Sequence, residues 1–385
     1  MTFREVAVVE VMPTLLAVPA QLPPMVGGDA HNEKGRRRAR ELVERYGEDS
    51  LSPFILRPDK AFQFGHDGTG VVAYRFIGKT AVISGDPVAP AGQATEVLAG
   101  FLELVRKNGW SVVVWGASGR HVEGYRRLGL HSLCLGEEAV VRPAEFSLDG
   151  RKVRKLRQSV NRLKRRGWEV TACDGRDLDA SLNAEISAFE AAWQATQPRV
   201  FGFVMTMGTW SPEVQPGDLY VLVRSPAGAL RAMTRFACHR GGLSLDVMRR
   251  LNQLPNGCSE AMICCALEIA RARGVPEVSL NYAGLSHLLR PGSAAGPTTR
   301  LLARALARGL GRRFRLARLA RFDAKFFPEW RPRFLVFGSW TGLPGAALRV
   351  LQAEGYLRER RLWPPRWSRP AARPPSGSPQ ADADR

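Results

Sequence analysis

Carboxylates set beside clustered cations are the residues with the most chemistry to offer. Asp246 sits in the strand-like run Leu243–Met248, just ahead of Arg249 and Arg250. A carboxylate near a strand end can accept a proton, hold an ammonium group, or pair with a neighbouring arginine. Glu260 follows Gly257 by three residues, at the start of an apolar helix. There it can act on a substrate or simply favour the positive end of the helix dipole. Asn256-Gly257 would expose backbone N–H groups at that helix start, as an anion or oxyanion site or as an ordinary turn. Glu137 and Glu138 follow Gly136, at what reads as a strand end. Either can hold a substrate ammonium or pair with the basic helix that follows.

That helix is the sharpest local feature. Nine of the sixteen residues from Arg151 to Arg166 are basic and none is acidic. Val153, Leu156, Val160 and Leu163 fall on one helical stripe. The spacing predicts a packed helix with a strongly positive outer face. Unbalanced like charges repel and gain nothing from i,i+4 pairing, which favours an anion-binding face over plain solvation. Arg154, Lys155, Arg157 and Arg162 are the expected phosphate contacts.

The whole chain shares this bias. It has 385 residues, 56 Lys+Arg against 36 Asp+Glu, a net charge of +20 and a pI near 10.6. Such a balance points to a polyanionic partner, either nucleic acid or an anionic membrane surface. Hydrophobic residues make up 45%, ample for a core without disulfide or metal staples. Six scattered cysteines lack C-x-x-C spacing and read as free thiols in a reducing cytoplasm. No histidine pair has metal-ligand spacing, so no metal site is expected. P-loop, Rossmann and nucleophile-elbow motifs are absent. No stretch reaches the ~18–20 apolar residues that span a bilayer, and Val6–Val26 is broken by Glu10 and four prolines. No signal peptide is recognisable.

The elements that must position these groups follow from periodicity. Ala61–Phe64 and Val71–Phe76 read as strands joined by His66-Asp67-Gly68-Thr69-Gly70, and Lys79–Ser84 as a third. Thr95–Lys107 has helical spacing, Trp110–Trp115 is a buried strand, and His121–Leu128 a short helix. His131–Leu135 and Ala139–Val141 read as two strands. A second pass gives strands at Trp168–Ala172, Leu219–Arg224, Ala229–Ala237, Leu243–Met248 and Glu277–Asn281. Helices fall at Asp179–Ala195, Cys258–Arg273 and Thr298–Leu319, with a final strand at Phe334–Phe337. This order predicts an α/β protein of mixed sheets. The Tyr125–Leu130 turn looks like those of N-acetyltransferase-type (GNAT) folds. The expected organisation is an N-terminal extension (1–50), a first GNAT-like domain (51–150), the basic helix with a second GNAT-like domain (151–345), and a C-terminal extension (346–385). That extension ends in a Pro/Arg-rich tail of disordered composition.

Five segments in order carry a family resemblance. They are Gly136–Val141, Phe146–Gly150 leading into Lys155–Arg162, Ser244–Arg250, Pro255-Asn256-Gly257 with Glu260, and Phe326–Arg333. Together they resemble the C-terminal catalytic domain of phosphatidylglycerol lysyltransferases (lysylphosphatidylglycerol synthases), over residues 55–340. The resemblance implies a tandem GNAT-type fold, two similar halves bridged by the basic helix. It implies transfer of an aminoacyl group, lysyl by the family's habit, from aminoacyl-tRNA to a hydroxyl of phosphatidylglycerol. The place would be the cytoplasmic face of the membrane, with aminoacyl-tRNA as co-substrate and no further cofactor. Asp246, Glu260 and Asn256 become the catalytic candidates. Glu137, Glu138, Arg249, Lys325, Trp330, Arg331 and Arg333 become the substrate-binding ones, with Lys325, Arg331 and Arg333 gripping a lipid phosphate or the tRNA acceptor end. Trp330 could stack, enter lipid, or belong to the core.

Family members often carry many transmembrane helices ahead of this domain. A sequence without them suggests a stand-alone synthase, one served by a separate membrane flippase, or a relative that aminoacylates a soluble acceptor. An acyl-CoA N-acyltransferase shares the fold, but its pyrophosphate loop is missing: Arg271–Pro276 ends in proline at a helix end. A basic binder without turnover is the remaining reading.

Overall fold

The computed structural model describes residues 33–196, 216–251, 254–284 and 316–357. The reading of Val6–Val26, most of the helix expected at Thr298–Leu319 and the tail beyond Leu362 lie outside them.

The first half opens with helix α1 (Glu33–Tyr46) and the meander β1 (Ala61–Phe64), β2 (Val71–Ile77) and β3 (Thr80–Ser84). Helix α2 (Ala94–Lys107) carries the chain to β4 (Ser111–Ser118), which lies parallel to β3. Helix α3 (Val122–Arg127) then leads into β5 (His131–Val141). The second half contains α4 (Arg154–Arg165), β6 (Glu169–Asp174), α5 (Ala180–Ala195), β7 (Leu219–Arg224), β8 (Leu230–His239) and β9 (Gly242–Arg250). After them come α6 (Cys258–Ala272), β10 (Val278–Gly284), α7 (Leu316–Asp323), β11 (Glu329–Phe337) and α8 (Leu343–Ala353).

The halves repeat one plan. β2 and β3 are antiparallel, and β3 reaches parallel β4 through α2. In the same way β8 and β9 are antiparallel, and β9 reaches parallel β10 through α6. Their closing strands are exchanged. β5 pairs with β10 of the second half, and β11 inserts between β4 and β5 of the first. The result is one eleven-stranded sheet in the order β1-β2-β3-β4-β11-β5-β10-β9-β8-β7-β6. Separating the halves would break three ladders of backbone hydrogen bonds, β5–β10, β4–β11 and β5–β11.

Apolar faces fix the layers. Val97, Leu98, Phe101 and Val105 of α2 pack with Tyr74, Ile83 and Val114. The α4 stripe is as expected: Leu156, Val160 and Leu163 are buried with Leu219, Val221, Met262 and Leu267, so α4 belongs to the second core. Two segments expected as extensions are built into the first half. α1 buries Ala39, Leu42 and Val43 against Phe62 and Val71. α8 buries Val350 and Ala353 against Val82, Val113 and Trp115, and Trp115 Nε1 donates to Glu354 Oε1 at 2.7 Å.

Two strands run longer than their sequences suggest. Gly136 does not end β5, because a register shift opposite Arg333/Phe334 absorbs an extra residue. Glu137 and Glu138 therefore lie inside the strand. β11 begins at Glu329 despite Pro332, because its pairing with β4 starts only at Arg333. Pro332 has β5 alone as a ladder partner, a place where a missing N–H is tolerated.

Candidate active site

The segment just after α1 lies across the centre of the sheet and ties its strands together through polar side chains. Arg333 on β11 donates from Nη1 to both Asp49 oxygens, at 3.0 and 2.9 Å. Its Nε donates to Glu138 Oε2 on β5 at 3.0 Å, and Nη2 to Ser50 Oγ at 2.7 Å. The second Glu138 oxygen accepts from the hydroxyls of Ser50 and Ser279. Arg333 and Glu138 are 3% and 1% exposed, so this ion pair is fully desolvated. Burial alone would raise the Asp49 carboxyl; the Arg333 charge overcomes it and holds the group below its ordinary value.

A special backbone supports this network. Asn281, inside β10, has φ +74, uncommon for a residue with a side chain. Its N–H donates to Ser279 Oγ at 3.0 Å and its side-chain amide to the Leu245 carbonyl at 3.1 Å. The β10–β5 register shifts there, which leaves the Ser279 hydroxyl facing Glu138.

Beside Arg333 opens a cleft of about 200 Å³, lined among others by Glu48, Asp49, Ser118, Arg120, Glu277 and Arg331. Arg331 pairs with Glu277 at 2.8 Å and with Glu329 at 3.1 Å. Of the residues singled out from sequence, Glu138, Arg331 and Arg333 converge on this cleft. Asp246, Glu260 and Asn256 do not line it.

Asp246 on β9 forms a second network. One oxygen meets Arg57 Nη2 at 2.8 Å and the other Arg235 Nη1 at 3.3 Å. Arg235 also binds the fully buried Asp218 at 2.6 Å, and Asp218 accepts from the Cys238 N–H. The guanidinium groups bonded to Asp246 are thus those of Arg57 and Arg235, while Arg249 interacts with it through its charge. Arg249 is itself buried: its Nε contacts Glu190 at 3.2 Å and its guanidinium lies 3.9 Å from the Trp193 ring centre.

A third cluster joins α6 to α4. Glu260, in the first turn of α6, accepts from Lys325 Nζ at 2.7 Å. Asn256 is exposed in the preceding turn. Gly257 has φ +100, and a Cβ there would fall 2.9 Å from Ser159 Cβ, so α4 and the α6 N-terminus meet where only glycine fits. On α4, Arg154, Lys155 and Arg162 are exposed, while Arg157 Nη1 donates to the Leu148 and Gly150 carbonyls. Gln158, Asn161, Lys164 and Arg165 line an open groove on the same helix. Trp330 is half-buried and packs on the second core. Glu137 lies on β5 opposite Pro332.

Sequence reasoning missed Asp49, Ser50, Arg57, Asp218, Arg235 and Glu277. Arg235 alone carried a signal, a charge inside the apolar run Ala229–Ala237. Of the others, Asp49, Ser50 and Arg57 are single polar residues in turns and bends, and Asp218 and Glu277 immediately precede β7 and β10. Among the described residues no helix is long and apolar enough to cross a membrane.

Comparisons with known proteins agree with this architecture. The family model described as "Phosphatidylglycerol lysyltransferase, C-terminal" matches residues 40–337. The lysylphosphatidylglycerol biosynthesis bifunctional protein LysX of Nocardia farcinica is 35% identical over 313 residues, covering 80% of this chain and 28% of that protein. Its counterpart in Mycolicibacterium gilvum is 33% identical over 322 residues, 83% of this chain and 29% of that protein. The chain thus spans under a third of the length of these relatives. The structure of L-PGS from Bacillus licheniformis superposes with a TM-score of 0.72 at 21% identity, covering 83% of this chain and 97% of that one. The chain belongs to the phosphatidylglycerol lysyltransferase C-terminal domain family.

Proposed function

We propose that this domain moves an aminoacyl group, lysyl in the first instance, from aminoacyl-tRNA to a hydroxyl of phosphatidylglycerol, working at the cytoplasmic face of the membrane. The observation that carries the reading is the family match over residues 40–337 together with the unbalanced cationic face of α4. Exposed Arg154, Lys155 and Arg162 suit tRNA phosphates, and Arg157 holds the preceding loop in place.

An aminoacyl ester is already activated. The acceptor oxygen attacks its carbonyl carbon, the acceptor proton passes to a base, and the tRNA ribose oxygen leaves and takes up a proton. The protein must orient both substrates and stabilise the oxyanion. Glu260 is the proposed base, being the more accessible carboxylate, with Lys325 beside it and the Asn256-Gly257 turn as N–H donors. Asp246 has both oxygens engaged by arginines, so it is a positioning residue in this reading. Buried Arg249 and Arg333 are positioning residues too, while Arg331 and Lys325 are the proposed phosphate contacts.

The test is direct. Purified protein, lysyl-tRNA and phosphatidylglycerol vesicles are incubated, and lipids are analysed by mass spectrometry. Lysyl-phosphatidylglycerol supports the reading. Transfer only to soluble hydroxyl or amine acceptors would replace the lipid with a soluble acceptor, and no transfer from tRNA would end it. If Glu260→Gln transfers at the wild-type rate, the base is elsewhere.

A further inference from the structure

Helix α4 carries more than charge. Arg154, Gln158, Asn161 and Arg165 fall at i, i+4, i+7 and i+11, which sets them in one row on its outer face, and all four are exposed. At about 1.5 Å per residue the two arginines stand about 16 Å apart along the helix, with the two amides between them. Gln158, Asn161, Lys164 and Arg165 line the open groove on this face. Asn161 accepts from Arg165 Nε at 3.4 Å through its backbone carbonyl, and its side-chain amide stays exposed. No carboxylate lies on the helix. Ser159, beside Gln158 in sequence, abuts Gly257, so α4 runs past the turn that leads to Glu260.

Two kinds of chemistry share this row. A guanidinium only donates and suits a phosphate, which only accepts. A side-chain amide both donates and accepts, so half of it would idle against a phosphate. Its match is a group that also does both, and the ribose 2′-hydroxyl is one. A helix about 10–12 Å wide cannot enter the B-DNA minor groove, about 6 Å across. It can lie on the wide, shallow minor groove of A-form RNA, where 2′-hydroxyls are displayed between two rows of phosphates. The B-DNA major groove would admit a helix, but an amide there reads one base, adenine, whereas every RNA nucleotide carries a 2′-hydroxyl. A membrane surface would use the cations and leave the amides idle. The apolar stripe of α4 is spent on the second core, and among the described residues no large apolar side chain is exposed on this helix to enter lipid.

We infer that α4 lies across the shallow groove of a double-stranded RNA stem. Arg154 and Arg165 meet phosphates at its two sides, and Gln158 and Asn161 bond 2′-hydroxyls between them, so the two amides make this face prefer RNA to DNA. The stem would be that of the donor in the transfer reading, on which the choice of partner rests. Both amides are positioning residues, apart from the reacting atoms.

Fluorescence anisotropy on the full chain tests this with hairpins of one sequence. They are RNA, its 2′-fluoro analogue, which keeps the A-form groove without the hydroxyls, and DNA. The wild type should bind RNA at least fivefold more tightly than either of the others at equal salt. Gln158→Ala with Asn161→Ala should erase that margin, leave binding of the other two unchanged, and keep the salt slope, because no phosphate contact is lost. Arg154→Gln with Arg165→Gln should weaken binding of all the hairpins and flatten the slope by about 1.4–1.8, at about 0.7–0.9 per contact. Alanine is a good helix former and both amides are exposed, so an unchanged melting temperature shows that lost binding is not lost fold. Equal wild-type binding of RNA and DNA, or an equal loss on RNA and 2′-fluoro RNA in the amide variant, would overturn the assignment. So would binding to phosphatidylglycerol vesicles with no binding to any hairpin. RNA preference carried by the amides, in a protein that transfers nothing from lysyl-tRNA, supports the groove and ends the transfer reading; transfer without that preference does the reverse.

Discussion

Arg333 and Asp49 stand 284 residues apart in sequence and share a two-point ion pair across the centre of the sheet. The contact fastens the segment behind α1 to the exchanged strand β11. The same guanidinium neutralises the fully buried Glu138, so one cation serves two carboxylates. Removing it leaves both uncompensated. Arg333→Met should therefore destabilise the fold by about 3–5 kcal/mol, seen as a lower urea midpoint. Arg333→Lys should recover little, since a single ammonium cannot reproduce the planar fork between two carboxylates. A loss below about 1 kcal/mol would mean the pair is peripheral to stability.

Asp323, at the end of α7, is 2% exposed, and its Oδ2 has no hydrogen-bond partner. Burial pushes its carboxyl up to about 8 from an ordinary 3.8. The folded value lies above the unfolded one, so the folded state retains a proton that the unfolded state releases. Stability from this group is full below about pH 4 and falls as the pH rises toward 8. Asp323→Asn cannot ionise. It should match the wild type near pH 4 and exceed it by about 1–3 kcal/mol at pH 8. Parallel denaturation curves at the two pH values check this, and an advantage independent of pH would count against it.

Much of the fold was legible because periodicity is local. The α2 face, the α4 stripe and the β1–β2 hairpin are written in neighbouring residues, and the structure has them at those places. The site was legible only in part. Glu138, Arg331 and Arg333 stood out as charges in an ordered motif. Their partners Asp49 and Ser50 come from a distant turn and Glu277 from the start of a distant strand, and pairing between distant segments leaves no periodic trace. Gly136 reads as a strand breaker because its local chemistry is that of one, and Pro332 lies outside the strand expected at Phe334–Phe337. A register shift and a one-sided ladder make them tolerable, and both depend on which strand lies alongside. α8 looks like an extension in sequence because its burial needs a sheet face assembled elsewhere.

Phe327 is left-handed, with φ 55 and ψ 49, and 57% exposed. A bulky residue in that region is strained, whereas glycine adopts it freely. Little burial is lost on truncation. Phe327→Gly should be more stable than Phe327→Ala by about 1 kcal/mol, because alanine keeps the backbone strain. Reversal of that order in thermal denaturation would show that the turn relaxes in solution.

The cationic face of α4 can be tested without any assumption about catalysis. Its exposed cations do not hold the fold: the buried residues of the helix are Leu156, Val160 and Leu163, and Arg154, Lys155 and Arg162 point outward. Replacing these three by glutamine should leave the melting temperature nearly unchanged. If each meets one phosphate, tRNA affinity should fall, and the slope of log K against log salt should flatten by about 2–3, since each lost phosphate contact removes about 0.7–0.9 from it. Arg157→Gln should behave differently, because it frees the Leu148 and Gly150 carbonyls and loosens the loop ahead of the helix. It should lower stability as well as affinity. Filter binding across a salt series, alongside melting curves, separates the two kinds of cation. An unchanged slope in the triple variant would move the tRNA surface away from α4.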